Sequence, residues 1–349
     1  MATSTGIYHT TYRREMRLRH TKAEYARLAL LAIALVAAPF VLSPFWLATV
    51  NAIGIAAIGA IGINILTGFT GLISLAQGAF LAVGAYTTAI LVERVGLPTP
   101  LGILAAVVVA AAVGAVTGLP AARLKGLYLA IATLAAQQII SYLIRTWDVL
   151  TGGVDSLVVP KPRIGGYVVK GDFVWYWIIL VFAIIAALAA TNLFRIGLGR
   201  AFVAIRDQDI AAEVIGVSVT KYKLAAFAIS SGFVGLAGAL LAHYRGIVTW
   251  ERFTLDVSIL YLAMVIVGGL GSVSGSIYGA AFMIGLRAGI SQLGQAMRDV
   301  VPSLASQVPA IQRGVFGLVI ILFLIFEPRG LARIWERMRD YVRLWPFRY

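Results

Sequence analysis

The chain has 349 residues, of which 60% are hydrophobic and only 13% are charged, and its mean hydropathy is +0.90. Soluble domains carry about 25% charged residues, because polar side chains must cover their surface. The composition therefore excludes an ordinary soluble enzyme and a disordered chain. The absence of cysteine also excludes a disulfide-stabilised scaffold. A polytopic membrane protein remains, and the position of the charges must explain the net charge of +14.

The apolar runs are long and continuous rather than alternating, which favours membrane-spanning helices over a β-barrel. The first run follows a basic segment, 1–27, and no clear small-residue cleavage site ends it, so we interpret it as an uncleaved anchor. The sequence thus predicts an all-α polytopic membrane protein with about ten transmembrane helices. The predicted spans are 28–48, 49–66, 72–92, 101–121, 126–146, 173–194, 224–244, 257–269, 276–292 and 314–326.

The basic residues orient these spans. With the N-terminus in the cytoplasm, 19 of the 29 Lys and Arg residues fall on the cytoplasmic side and nine on the external side. An excess of Lys and Arg marks the cytoplasmic side of a membrane protein. The positive charge is therefore a topology signal, and no nucleic-acid partner is expected. The predicted organisation is a basic cytoplasmic tail, 1–27, a membrane domain, 28–326, and a basic cytoplasmic tail, 327–349.

Tryptophans at the predicted span ends fit the aromatic belt that lies at membrane interfaces. They are Trp46, Trp147, Trp175, Trp177, Trp250 and Trp335.

The longest predicted cytoplasmic loop, 195–223, carries an amphipathic pattern. The pattern predicts one helix over about 200–215, and Gly216 ends it as glycine commonly does. A short helix of this kind suits docking into a groove on a soluble partner, and a solvated interfacial helix is the equally open alternative.

Two segments echo each other weakly. GLISLAQGAF (71–80) and GSVSGSIYGAAF (271–282) share a glycine, a serine three residues later and a Gly-Ala pair before phenylalanine. Paired glycine-interrupted segments in two halves of a chain indicate a transport pathway. Chance remains an alternative, because glycine is common in membrane helices.

The chain lacks the motifs that would energise or catalyse a reaction. No lysine follows a glycine and precedes Ser or Thr as in a phosphate-binding loop, and no metal-ligand motif is present. Arg287 is the one clear charge inside a predicted span, which argues against a proton-coupled carrier. We therefore expect no enzyme activity, cofactor or metal on this chain, and any active transport must draw its energy from a partner.

Several motifs together resemble the permeases of the branched-chain amino acid ABC importers, in particular the LivM-type half. The resemblance covers about 50–332. It is carried by NILTGFTGLISLAQGAFLAVGAYTTA (64–89), GLYLAIATLA (126–135), LTGGVDSL (150–157), GRAFVAIRDQDIAAEVIGVSVTKYKLAAFAIS (199–230), GLAGALLAHYRG (235–246), LYLAMVIVGGLGSVSGSIYGA (260–280) and EPRGLA (327–332).

The resemblance implies a type II-like importer permease core in a bacterial inner membrane, with both termini cytoplasmic. It implies three kinds of protein partner: a second permease of the LivH type, two ABC ATPase subunits and a periplasmic substrate-binding protein. The lipid bilayer would surround the permease. ATP and Mg would bind to the ATPase subunits. The segment 195–223 would hold the ATPase-coupling helix, with Arg206, Asp207, Asp209, Ala211, Ala212, Glu213 and Gly216 as its coupling residues.

Polar residues around the first glycine-rich segment and in the fifth span are the candidates for the translocation pathway, since a buried amide is costly without a partner or a hydrated path. They are Asn64, Thr67, Ser74, Gln77, Gln137 and Gln138. Hydrogen bonding between helices is the alternative for each. The family often has Gly-His at Ala76-Gln77 and a glutamate near Gln138, so an aromatic carboxylate, urea or short amide is an alternative substrate to a branched-chain amino acid.

The external loop, 147–172, carries candidates for the surface that docks the binding protein: Thr151, Gly152, Gly153 and Asp155. A plain turn is the alternative for these residues. For the whole chain, a passive channel and a membrane scaffold without transport remain alternatives to an ABC permease.

Overall fold

A computed structural model describes residues 22–164, 167–296, 302–327 and 329–344 of the chain. It divides into two compact units, Met1–Ala48 and Thr49–Tyr349. Every candidate site residue belongs to the second unit. Most of the predicted N-terminal tail, 1–27, lies outside the described residues, as do the last five residues of the C-terminal tail.

The described chain is built almost entirely from α-helices, as its continuous apolar runs predict. Fourteen helices are present in the described residues. In chain order they are α1 Lys22–Val41, α2 Pro44–Asn64, α3 Gln77–Glu93, α4 Thr99–Ala121, α5 Gly126–Thr146, α6 Asp148–Thr151, α7 Asp172–Leu193, α8 Gly197–Asp207, α9 Asp209–Val214, α10 Val219–Arg245, α11 Leu255–Gly268, α12 Val273–Ala296, α13 Pro302–Phe326 and α14 Gly330–Leu344.

Each of the ten predicted spans corresponds to one of these helices, and the all-α polytopic membrane fold is confirmed. Within the part of the chain that the structure describes, seven segments are long and apolar enough to cross a bilayer. They are Pro44–Phe69, Thr99–Pro120, Gly126–Thr146, Asp172–Leu193, Val219–Arg245, Val273–Gln295 and Gln307–Phe326. The other three helices are shorter: α3 has 17 residues, α11 has 14, and the apolar part of α1 is Ala29–Val41.

The first two spans divide at a different residue from the one predicted. The predicted boundary lies between 48 and 49, whereas α1 ends at Val41 and α2 begins at Pro44. Proline favours the first position of a helix, because it has no backbone N–H to leave unpaired there. Because the hydropathy is continuous across 28–66, the apolar pattern did not show that a helix begins at Pro44.

The two short helices α3 and α11 each adjoin a non-helical segment that carries positive-φ glycines. Helix α2 passes into a π-helical turn, Ile65–Phe69, and residues 70–76 are then non-helical before α3. We call residues 65–76 the first glycine break. Between α11 and α12, residues 269–272 form the second glycine break.

The centre of the helix bundle depends on glycines that allow two backbones to approach closely. A Cβ atom on Gly84 of α3 would collide with the carbonyl oxygen of Gly235 on α10. A Cβ atom on Gly238 would likewise collide with the carbonyl oxygen of Leu81. Small residues at helix contacts are the usual way in which membrane helices gain close packing.

Four short strands lie at the end of the bundle where α7 begins and α10 ends. The strand β1 (Leu157–Val158) pairs antiparallel with β4 (Ile247–Val248), and β2 (Arg163–Ile164) pairs with β3 (Tyr167–Val168). At the same end the Tyr244 hydroxyl donates to the Asp172 carboxylate over 2.8 Å, which links the ends of α10 and α7.

Candidate functional site

The two glycine breaks, which echo each other in sequence, contact each other in the fold. Asn64 joins them: its Oδ1 accepts from the Gly271 backbone N–H over 2.9 Å, and its Nδ2 donates to the Ser272 carbonyl oxygen over 2.8 Å and to Ser276 Oγ over 2.7 Å. The side chain is buried. All three polar contacts of this amide are therefore made to the other half of the chain.

Glycine is required where the breaks touch. A Cβ atom on Gly68 would collide with the Gly271 backbone nitrogen and with Asn64 Oδ1. Gly71 and Gly271 have φ values of +74° and +75°, a region that residues with a Cβ atom rarely adopt.

Arg206, at the end of α8, reaches both breaks. Its Nη1 donates to the Gly68 carbonyl oxygen over 3.1 Å. Its Cγ would lie 2.9 Å from a Cβ on Gly71, and its Nη1 would lie 3.3 Å from a Cβ on Gly271. Asp207 accepts from Nε and Nη2 of the same guanidinium over 3.2 and 3.1 Å, which fixes its orientation. Arg206 thus connects a surface helix to the junction of the two breaks.

The amphipathic segment forms two helices rather than the single helix predicted over 200–215. The backbone of Gln208 is extended (φ −163°, ψ 107°), which ends α8 and lets α9 begin in a new direction. The apolar residues of the amphipathic pattern therefore differ in exposure. Ala201 and Ile205 of α8 are buried, whereas Ile210 and Ile215 are exposed.

Asp209 anchors the start of α9 to the bundle. Its carboxylate lies 2.6 Å from Lys125 Nζ, just before α5, and 3.7 Å from Lys223 Nζ, whose side chain is only 4% exposed. The hydrogen bond from Lys125 is the main cause that lowers the pKa of Asp209. This stabilisation is present above the ordinary Asp pKa and is lost as pH falls through the lowered folded-state value. The contacts make Asp209 an internal anchor of the predicted coupling helix.

The outer face of α9 is apolar and exposed. Ile210, Val214 and Ile215 are 64%, 82% and 76% exposed, and Ala211 and Glu213 are exposed beside them. Ala212, by contrast, is buried. Gly216 ends the helix as predicted, with φ +92°, and the bonds Gly216 N–H to Glu213 O and Val217 N–H to Ala212 O complete a Schellman cap.

Gln137 of α5 holds the start of α3. Its Oε1 accepts from the Ala79 N–H over 2.6 Å, and its Nε2 donates to the Phe253 carbonyl oxygen over 2.8 Å. Ser258 accepts from the Gly78 N–H over 2.8 Å. The first turn of α3 has unpaired N–H groups that need such partners inside an apolar bundle.

The other predicted pathway residues lie in three different surroundings. Thr67 donates to the Leu72 carbonyl oxygen, and Ser74 accepts from the Ala76 N–H, so both stabilise the first break itself. Gln77 is fully buried and its amide has no hydrogen-bond partner among the described residues. Gln138 is exposed and lies apart from this network. Their place in the translocation pathway stays a prediction.

Four hydroxyl residues of this network are not among the predicted site residues. Thr133 accepts from the Leu75 N–H over 3.0 Å, while Ser258, Ser272 and Ser276 contact the breaks or the start of α3. Ser272 and Ser276 lie within the second echo segment, so the repeat was the signal that could have identified them. Thr133 lies one helical turn before Gln137 on the same face of α5.

The adjacent residues Gln137 and Gln138 provide a matched test of this network. We expect Gln137→Ala to lower the thermal unfolding midpoint of the detergent-purified chain, because it leaves the Ala79 N–H and the Phe253 carbonyl unpaired. Each unsatisfied buried group costs roughly 1–3 kcal/mol. Gln138→Ala should leave the midpoint nearly unchanged. Equal midpoints for both variants would contradict the capping role of Gln137.

The residues predicted to dock a binding protein form a tight turn after α6. Thr151 is buried, and its hydroxyl contacts the carbonyl oxygens of Ile144 and Trp147. Gly152 and Gly153 have φ values of +77° and +61°. Asp155 is exposed. The turn explains three of these four residues structurally, and docking stays a prediction.

Comparison with known proteins agrees with these features. Residues 45–324 match the family model described as branched-chain amino acid transport system / permease component. The chain is 33% identical over 295 residues to the high-affinity branched-chain amino acid transport system permease protein LivM of Salmonella typhimurium and of Escherichia coli. These alignments cover 78% of this chain and 66% of each relative. The chain therefore matches just under two thirds of the length of these relatives.

A second kind of permease is also similar. The chain is 24% identical over 300 residues to the permease protein LivH of Escherichia coli, with 79% of this chain and 91% of that protein covered. No solved structure matches the chain. The family model covers most of the sequence, including both glycine breaks and α8–α9, and the LivM-type resemblance inferred from the motifs is confirmed. The chain belongs to the family of permease components of branched-chain amino acid transport systems.

Proposed function

We propose that this chain is the permease subunit of an ATP-driven importer for branched-chain or related hydrophobic amino acids. In this proposal it forms half of the translocation pathway in a bacterial inner membrane, with both termini cytoplasmic. A LivH-type permease supplies the other half, two ATPase subunits supply the energy, and a periplasmic protein delivers the substrate. The names of the LivM and LivH relatives support the substrate class and the pairing of two permeases.

The observation that carries the proposal is the connection from the exposed face of α9 to the glycine breaks. An apolar face on a short surface helix is suited to a groove on a partner protein. The preceding helix, α8, carries Arg206 as its penultimate residue. This side chain donates to the Gly68 carbonyl oxygen in the first break and lies close to Gly271 in the second. If an ATPase subunit displaced α9, the displacement would thus be transmitted through α8 to the contact between the two glycine breaks. The chain has no phosphate-binding loop of its own, so the nucleotide would bind to the partner.

Val214 and Val149 provide a matched test of the docking face. Both valines lie in short helices and are similarly exposed, at 82% and 84%. We expect Val214→Arg to abolish co-purification of the ATPase subunits with the tagged permease, because a charge in the centre of an apolar interface remains unpaired. Val149→Arg, near the strands at the other end of the bundle, should leave co-purification intact. Loss in both variants, or in neither, would contradict docking through α9.

The energy source and the substrate are tested in proteoliposomes that contain the complete complex. Uptake of radiolabelled leucine should require ATP and should be inhibited by excess isoleucine or valine. Inhibition by benzoate or urea instead would favour the alternative substrates. Uptake by this chain alone, without ATPase subunits, would favour a passive facilitator and overturn the proposal.

A further inference from the structure

The helix α14 begins almost directly where α13 ends. Only residues 327–329 separate Phe326 from Gly330. Gly330 has φ +70°, and its N–H donates to the Glu327 carbonyl oxygen over 2.8 Å, which closes a tight turn. The last apolar residues of α13, Leu324 to Phe326, are exposed as on a lipid-facing helix. The short connection therefore holds α14 at the level of the membrane surface.

The residues of α14 divide into two faces. At 100° per residue, Leu331, Ile334, Trp335, Met338 and Tyr341 form one continuous stripe. Glu336 and Asp340 lie on the opposite side of the helix.

The apolar stripe is only partly covered by the described chain. Trp335 lies 6.4 Å from the ring of Tyr278 on α12, which fixes one edge of the helix to the bundle. Trp335, Met338 and Tyr341 nevertheless remain 52%, 56% and 58% exposed. An exposed apolar stripe is costly in water, so it requires an apolar environment.

The charges of α14 are predominantly basic. Four arginines accompany one glutamate and one aspartate within Gly330–Leu344. Arg333 pairs with Glu336 over 3.5 Å, Arg337 with Glu327 over 2.9 Å, and Arg339 with Asp340 over 3.8 Å. In the pairs of Arg333 and Arg339 both partners are exposed, and such pairs contribute little. Arg337 is itself 64% exposed, although its partner Glu327 is not. Arg333 and Arg339 can therefore exchange carboxylates for phosphate groups at small cost.

We infer that α14 lies flat in the headgroup region of the membrane and binds anionic phospholipids. Its apolar stripe enters the boundary with the acyl chains, Trp335 and Tyr341 occupy the interfacial belt, and the arginines extend towards lipid phosphates. The tether to α13 favours lipid over a soluble partner, because the helix cannot leave the surface of the bilayer. The inference does not depend on ATP-driven transport.

Single-cysteine labelling tests the orientation, since these 349 residues include no cysteine. Met338→Cys and Tyr341→Cys sample the apolar face, and Glu336→Cys and Asp340→Cys sample the polar face. Each variant is spin-labelled and reconstituted into phosphatidylcholine vesicles with roughly a quarter phosphatidylglycerol. We expect the labels at 338 and 341 to collide mainly with oxygen, which concentrates in the bilayer, and those at 336 and 340 mainly with a water-soluble nickel chelate. Preference for nickel at all four positions, or protection of 338 and 341 from both reagents, would overturn the inference.

The lipid charge is tested separately with a double substitution. We expect Arg333→Gln with Arg337→Gln to reduce the oxygen-to-nickel ratio at position 338 by at least about twofold in vesicles that contain phosphatidylglycerol. The matched control is Arg195→Gln with Arg200→Gln, two exposed arginines beside and within α8, which should leave the ratio unchanged. The original chain should also give a lower ratio in pure phosphatidylcholine. Equal ratios in both lipids would overturn the role of anionic headgroups.

Discussion

Arg206→Ala is expected to uncouple leucine uptake from ATP hydrolysis in the reconstituted complex that we propose. The substitution removes the hydrogen bond to the Gly68 carbonyl oxygen and the guanidinium that lies close to Gly271, so we expect movement of α9 no longer to reach the glycine breaks. A hydrogen bond to a charged group contributes roughly 1.5–3 kcal/mol, and 1.4 kcal/mol corresponds to about tenfold. Because the guanidinium is partly exposed, we expect the lower end, about a tenfold fall in uptake per ATP hydrolysed.

The measurement is the ratio of uptake to ATP hydrolysis, which a general loss of folded protein does not change. Arg206→Lys keeps the charge but not the planar fork, so we expect an intermediate ratio. Arg200→Ala removes an exposed arginine from the same helix and should retain the original ratio. A proportional fall of uptake and hydrolysis in Arg206→Ala would show that the residue supports folding without transmitting movement.

The second large effect is expected on stability, from Gly84→Ala. The new Cβ would lie against the backbone of Gly235, including 2.5 Å from its Cα atom, and backbone cannot move aside as a side chain can. Overpacking of this kind costs roughly 1–3 kcal/mol. We expect a lower thermal unfolding midpoint for the purified chain, and Gly84→Val should prevent accumulation of folded protein.

Gly289→Ala in α12 is the matched control for this effect. Among the described residues, no atom lies within 4 Å of a Cβ built on Gly289. Alanine is favoured over glycine inside a helix by roughly 1 kcal/mol, so this substitution should raise the midpoint slightly. A decrease in both variants would show that the loss of glycine itself, and not the contact between α3 and α10, causes the effect.

Several helix limits could be predicted because local signals mark them. Helices α5 and α7 begin and end within one residue of the predicted spans, where polar or charged residues interrupt the apolar run. The start of α13 was missed by 12 residues, since α13 begins at Pro302 and the predicted span begins at 314. A helix can continue through polar residues such as Gln312, whose amide donates to Arg287 and Ser291 of α12. Hydropathy finds the apolar part of a helix and not its polar turns.

The candidate site could be predicted in part. The amphipathic pattern predicted helix in the segment 195–223, and Gly216 was identified as a helix end by its own conformational freedom. The division of this segment at Gln208 and the inward direction of Asp209 could not be predicted. Asp209 faces the bundle because Lys125, just before α5, and Lys223 of α10 lie beside it, and their distance from it is not a local property of the sequence.

The sequence by itself determined the all-helical membrane fold, because hydropathy and backbone pairing in a bilayer act on each segment separately. It also determined the family, through motifs spread over most of the chain. Only the tertiary structure decided that Asn64 bonds residues of the second break and that Arg206 bonds Gly68, pairs more than 130 residues apart in the chain. Such pairs form where helices cross, and the crossing points follow from the packing of whole helix surfaces, including the close contact of Gly84 with Gly235.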